Sequence, residues 1–214
     1  MGEALLLAVG IAASPFPVVP AILLLFTARP RPTALAFLVA WFAGIGVVAG
    51  AFTLLSDVVS EPGDSPTWLS WVRIVLGAGL LVVGVRRWLA RGVATEPPGW
   101  VRSIEQAGPG SAARLALLLS VANPKVVLLA AAAGLDIGAS ELTAAGELAA
   151  VLAFTVVAAL SVAVPVLAYV VVGERVLRPL ATAKDWLLRN SAATMAVVIV
   201  VIGVVLLKNG IGGL

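Results

Sequence analysis

Two short stretches put polar side chains beside proline in the middle of apolar sequence: "ASPFPVV" at residues 13–19 and "ANPKVVL" at residues 122–128. They align with each other without a gap. In each, a residue that favours the helix N-cap stands directly before a proline, Ser14–Pro15 and Asn123–Pro124. Serine and asparagine oxygens accept from the exposed N–H groups of a first helical turn. Proline suits the first helical position, where its missing N–H costs nothing. Both stretches therefore read as helix starts. A helix start carries unpaired donors and a partial positive charge, which is the chemistry of an anion or hydrogen-bonding headgroup site. Lys125 adds a cation. Its position implies a depth of roughly 20 Å along its helix, and a lysine at mid-bilayer costs at least ~2.5 kcal/mol. The nearest acid on that helix, Asp136, stands about 16 Å further along. Lys125 therefore either meets an anionic substrate or is held neutral and exchanges a proton; the sequence leaves both open.

The elements that must position these residues follow from composition. The 214 residues are 61% hydrophobic and 12% charged, against about 25% charged in a soluble domain. Such a chain is an all-α polytopic membrane protein. Apolar runs of about 20 residues predict six spans, near 4–27, 33–55, 68–89, 111–135, 148–172 and 187–207. The N-terminus carries Glu3 where a signal peptide carries basic residues, and its apolar run continues to Phe26, so it reads as the first span. Residues 91–110 form the longest connection, with a short interfacial helix expected around 100–104.

Charge orients the spans. Arg29 and Arg31 lie in the first loop. Arg86, Arg87, Arg91, Arg102 and Arg114 lie in or beside the third, and Arg175, Arg178, Lys184 and Arg189 in the fifth. These are eleven of the fourteen basic residues. The opposite loops carry Asp57, Glu61, Asp64, Asp136, Glu141 and Glu147. The positive-inside rule places the odd-numbered loops in the cytoplasm and both termini outside. Three spans (residues 1–90), a cytoplasmic linker (91–110) and three more spans (111–214) then form two inverted three-helix repeats, an arrangement common in secondary transporters. The first and fourth spans would be broken or re-entrant at the two motifs. Their helix starts would approach from opposite faces and meet at the midplane, where broken backbone is tolerable only if buried in protein or lining a cavity. Pro17 and Pro20 should disturb the first span further and Pro165 should break the fifth, as a hinge or an ordinary kink. The small residues Ala40, Gly44, Gly46 and Gly50 suit close helix packing or a homodimer face. Arg73 reads as a snorkelling interfacial residue.

The chain resembles the peptidoglycolipid-addressing protein family (GAP, or Sap) of the LysE transporter superfamily. The resemblance is carried by "ASPFPVVPAILLL", "SVANPKVVLLAAAAG", "VPVLAYVVVGERV" and "WLLRNSAATMAVVIVVIGVVLLKNGIGGL", and so covers essentially the whole chain. It implies a six-span exporter in the bacterial cytoplasmic membrane, with membrane lipids as partners and a glycolipid as substrate, in mycobacteria and related actinobacteria. Carried over residue by residue, it gives Ser14, Pro15, Pro17, Asn123, Pro124 and Lys125 as the substrate-binding positions.

Other function classes have less to stand on. With no cysteine and no histidine, the chain has no thiol, disulfide or imidazole chemistry. The spans hold no cluster of carboxylates, so neither a catalytic site nor a metal site is expected, and no cofactor. No nucleotide-binding fingerprint appears, which leaves a proton or ion gradient or downhill flux as the driving force. A pI near 10.0 reflects loop arginines and does not indicate nucleic-acid binding. A small anionic or amino-acid-like solute is the alternative substrate, and an accessory subunit of a lipid-export system is the alternative role.

Overall fold

A computed structural model describes residues 2–56, 106–140 and 142–186, with single positions at 74, 78, 79, 81, 82, 85, 86, 89, 104, 200, 204, 207 and 211. The described elements are all helical, with no strand among them. The chain divides into two packed units, Met1–Glu61 with Pro97–Asp185, and Pro62–Glu96 with Trp186–Leu214. In the second unit the described positions, such as Ile74, Leu89 and Val204, are helical. The third and sixth spans otherwise lie outside the described residues, as do Arg73 and, except for a helical and buried Ile104, the expected interfacial helix.

Among the described residues, six helices make up most of the first unit. Helix α1 covers Gly2–Ala12 and α2 covers Pro15–Leu23, tightening into a 3₁₀ turn at Leu24–Phe26. Helix α3 covers Pro30–Leu54, α4 Pro109–Val121, α5 Pro124–Gly138 and α6 Ala144–Val172. A 3₁₀ turn at Gly173–Val176 follows α6, and helix continues to Trp186. Gly173 ends α6 at φ 77°, a left-handed conformation that glycine adopts without a Cβ clash.

Two of these helices, α3 and the stretch Ala144–Trp186, are each long and apolar enough to cross a membrane, and two bent pairs pass the same test together. The pairs are the expected broken ones. Ala4–Ala12 and Pro15–Phe26 meet at 49°, and Pro109–Val121 and Pro124–Gly138 at 64°. The other prolines behave differently from expectation. Pro17 falls in the first turn of α2, where no intrahelical N–H is needed. Pro20 is carried inside α2. Pro165 is carried inside an unbroken α6, so it does not break the fifth span; packing of α6 against α1, α2 and α3 holds the helix across the missing bond.

Small residues set the direction of the helices. A Cβ on Gly134 of α5 would collide with the Ala49 carbonyl of α3 and stand 2.9 Å from Phe52 Cβ. One on Gly138 would meet Ser56 and the Thr53 carbonyl. Moving from Gly134 to Gly138 thus advances along α3 from Ala49 to Ser56, and α3 and α5 run parallel. Only residues 139–143 separate α5 from α6, a connection short enough to make them antiparallel neighbours. The same reasoning applies at residues 27–29, where the Thr27 hydroxyl donates to the Leu24 carbonyl at 2.8 Å. Span one therefore runs antiparallel to α3. Of the small residues on α3, Gly44 abuts Ser120 of α4, a Cβ on Gly46 would stand 3.5 Å from Thr155 Oγ1 of α6, and one on Gly50 would meet nothing within 4 Å. The Gly44 side of the pattern is packing within the chain.

Trp41, Phe37, Phe154 and Ile45 form the core of the first unit. Around the outside, Leu6, Val39, Val47, Leu54, Leu128 and Val171 are 65–82% exposed. An exterior of leucine and valine fits acyl chains rather than water. Basic residues gather at one end of the unit, with Glu174 and Asp185 among them. Arg29 and Arg31 precede α3, Arg114 lies in the first turns of α4, and Arg175, Arg178 and Lys184 follow α6. By the helix directions these share one end, and Lys184 Nζ stands 5.5 Å from the Phe26 ring at the end of the first span. Asp136 and Glu147 lie at the other end, beside the α5–α6 connection.

Candidate functional site

The break between α4 and α5 is built by its own residues. The Ala122 amide closes α4 on the Leu118 carbonyl at 2.9 Å. Asn123 is extended, and its Oδ1 accepts from the Lys125 amide at 3.1 Å, the capping bond that its residue type suggests. Pro124 has no N–H to satisfy. The Val127 amide returns to the Asn123 carbonyl at 3.0 Å. The Val126 N–H is thus the donor of this turn that neither the cap nor the helix takes up.

The break between α1 and α2 shares the backbone form but not the cap. Ser14 is extended (φ −78°, ψ 123°) and precedes Pro15, yet its side chain makes no capping bond; its amide instead donates to the Ile11 carbonyl at 3.0 Å. Capping by Ser14 is therefore a corrected expectation: here proline, with no N–H, suffices to begin the helix. Ser14, Pro15 and Pro17 are buried. Pro124 is exposed, and its part is to start α5.

Lys125 is half-buried overall, but its Nζ is sealed from solvent and makes no hydrogen bond among the described residues. A buried nitrogen without a partner is costly. It stands in the first turn of α5, two residues from the break.

The two breaks come to one level. A Cβ on Gly10 of α1 would stand 3.3 Å from Leu129 Cδ1 of α5, and these helices are antiparallel. Ser14 lies four residues beyond Gly10 and Lys125 four before Leu129, about 6 Å in the same direction in both cases. Register thus places Ser14 opposite Lys125. The residues that lock this arrangement, Gly134 and Gly138, were missed in the sequence reading. Their spacing in "GLDIG" is the small-xxx-small signal of close helix approach, and it was available.

Neither the curated proteins nor the solved structures include a match to this chain. A family model does match, over residues 4–212, and its description is Sap, sulfolipid-1-addressing protein. Because the match spans both breaks and every described helix, the chain belongs to the sulfolipid-1-addressing (Sap) protein family.

Proposed function

We propose that this protein is a six-span secondary exporter of the LysE type, built from two inverted three-helix repeats, and that it moves a lipid with an anionic headgroup. The family description points to a sulfated lipid. The observation that carries the reading is the sealed, unpartnered Lys125 Nζ beside a broken helix start. A sulfate group would accept from Lys125 and from the Val126 N–H, replacing the missing partners with charge-assisted hydrogen bonds. Ser14 and the buried Pro15 and Pro17 form the facing wall. The acyl chains stay in lipid while the headgroup crosses at the level of the breaks, as the halves rock about that level.

The helix directions support this topology. Spans two and four run the same way and spans one and five the other, as six alternating spans require. The basic end of the first unit is then cytoplasmic and the acidic end extracytoplasmic, with both termini outside.

The chain has no cysteine, so Ser14→Cys supplies a single thiol for membrane-impermeant maleimides. Alternating access predicts labelling from either side of oriented vesicles, reduced by added sulfated glycolipid. Labelling from one side only, under every condition, would contradict it.

A further inference from the structure

Buried hydroxyls in this fold generally close on their own helix. Thr27, Thr53, Ser56, Ser120 and Thr155 each donate to a carbonyl three or four residues back, at 2.7–3.0 Å. Ser161 does not. Its Oγ is buried with no hydrogen-bond partner among the described residues. Pro165, four residues on, has no N–H to give the Ser161 carbonyl, so this one residue leaves both a hydroxyl and a carbonyl without their usual helical bonds. Trp41 Nε1 is likewise buried with no partner among the described residues, on a side chain that is 0% exposed. Orphaned groups of this kind call for a ligand or water that the protein alone does not provide.

Register puts them at the level of Lys125. Gly46 of α3 faces Thr155 of α6, and these helices are antiparallel. Trp41 lies five residues before Gly46 and Ser161 six beyond Thr155, about 8 and 9 Å in the same direction. Gly134 of α5 abuts Ala49 of the parallel α3. Lys125 lies nine residues before Gly134 and Trp41 eight before Ala49, about 14 and 12 Å in the same direction. Three helices thus bring three orphaned nitrogen and oxygen atoms to the level of both breaks. A fourth orphan, Thr33 Oγ1, stands about 12 Å from Trp41 along α3, outside this layer.

We propose that Trp41 Nε1 and Ser161 Oγ are specificity-determining donors that, with Lys125, bind an acceptor-rich headgroup carrying a sulfate and neighbouring sugar hydroxyls. The assignment rests on the headgroup-site reading above. The indole N–H can only donate, so the layer favours oxyanions and ether or hydroxyl oxygens over cationic headgroups. The Ser161 carbonyl takes a sugar hydroxyl as donor.

The test is binding of glucose 6-sulfate and of inorganic sulfate to the purified full chain in detergent, with thermal midpoints measured without ligand. Trp41→Phe and Ser161→Ala should each weaken glucose 6-sulfate binding about five- to thirty-fold, the loss of one well-made hydrogen bond. Ser161→Ala should not lower the ligand-free midpoint, because it removes an orphaned hydroxyl, whereas Trp41→Phe also shortens a fully buried core side chain and lowers the midpoint by the cavity it leaves. A lower midpoint with unchanged binding in Ser161→Ala, or unchanged binding in a folded Trp41→Phe, would overturn the assignment. Lys125→Gln should abolish binding of both anions. If Lys125→Gln binds neither anion while Trp41→Phe and Ser161→Ala bind as wild type, the headgroup site stands and the two donors are excluded from it. If wild type binds neither anion, both readings fall. Ser161→Ala, the smaller change, decides alone if Trp41→Phe does not fold.

Discussion

Replacing Gly134 with alanine tests the packing that sets the level of the breaks. The added methyl would collide with the Ala49 carbonyl and stand 2.9 Å from Phe52 Cβ and 3.0 Å from the Thr53 amide nitrogen. Ordinary contact begins at 3.4 Å, so α3 and α5 must part by at least 0.5 Å, and further at the carbonyl. Two of the three obstructing atoms are backbone and cannot rotate away. The upper part of the range for overpacking then applies, about 2–3 kcal/mol. Alanine returns about 1 kcal/mol through helix propensity, which leaves a net loss of about 1–2 kcal/mol. Gly50→Ala is the internal control: a Cβ there meets nothing within 4 Å, so it should gain about 1 kcal/mol. Thermal unfolding in one detergent, at one protein concentration, reads both; 1 kcal/mol corresponds to about 2–4 °C for a chain of this size. Gly134→Ala as stable as Gly50→Ala would refute the α3–α5 contact and the parallel direction drawn from it.

Three further outcomes follow from the same geometry. Asn123→Ala removes the capping bond to the Lys125 amide and should cost about 1 kcal/mol. Ser14→Ala removes no cap and should change the unfolding midpoint far less; equal losses would show that the two breaks are held alike. In the cysteine-free background, the pair Gly10→Cys with Leu129→Cys should cross-link within one chain under mild oxidation, seen as a mobility shift reversed by reductant. Cross-linking only between chains would contradict the α1–α5 pairing. Headgroup transport should be equally sensitive to Lys125→Ala and Lys125→Met, because both remove the nitrogen; a Lys125→Met that transports much better than Lys125→Ala would point to the side chain's bulk instead.

The breaks were legible in sequence because proline acts locally: without an N–H it begins a helix wherever a non-helical residue precedes it. Their caps were only half legible. Asn123 reaches the amide two residues on, whereas the Ser14 hydroxyl does not engage, and residue type alone does not separate the two. Pro165 was misread for the opposite reason. Its effect depends on the helices packed against α6, and that tertiary support is invisible in a local window. Within the first unit the helix directions bring Arg29, Arg31, Arg114, Arg175, Arg178 and Lys184 to one end, a clustering that the loop arginines had suggested. Register between α1 and α5, and the meeting of Trp41, Lys125 and Ser161 at one level, rests on which glycine faces which helix. Gly134 announces a close approach but not its partner. Trp41 did carry one overlooked signal: it lies eleven residues into α3, away from the interface where tryptophan is usually enriched.

The central claim is that the broken spans form one headgroup site and that Lys125 serves it. Its most direct test is reconstitution of wild type and Lys125→Ala in liposomes, following a headgroup-labelled sulfated glycolipid from one leaflet to the other alongside uptake of small anions. The account predicts lipid movement by wild type that Lys125→Ala abolishes while remaining folded. Uptake of small anions without lipid movement would keep the site and change its substrate, and lipid movement that persists undiminished in Lys125→Ala would contradict the account.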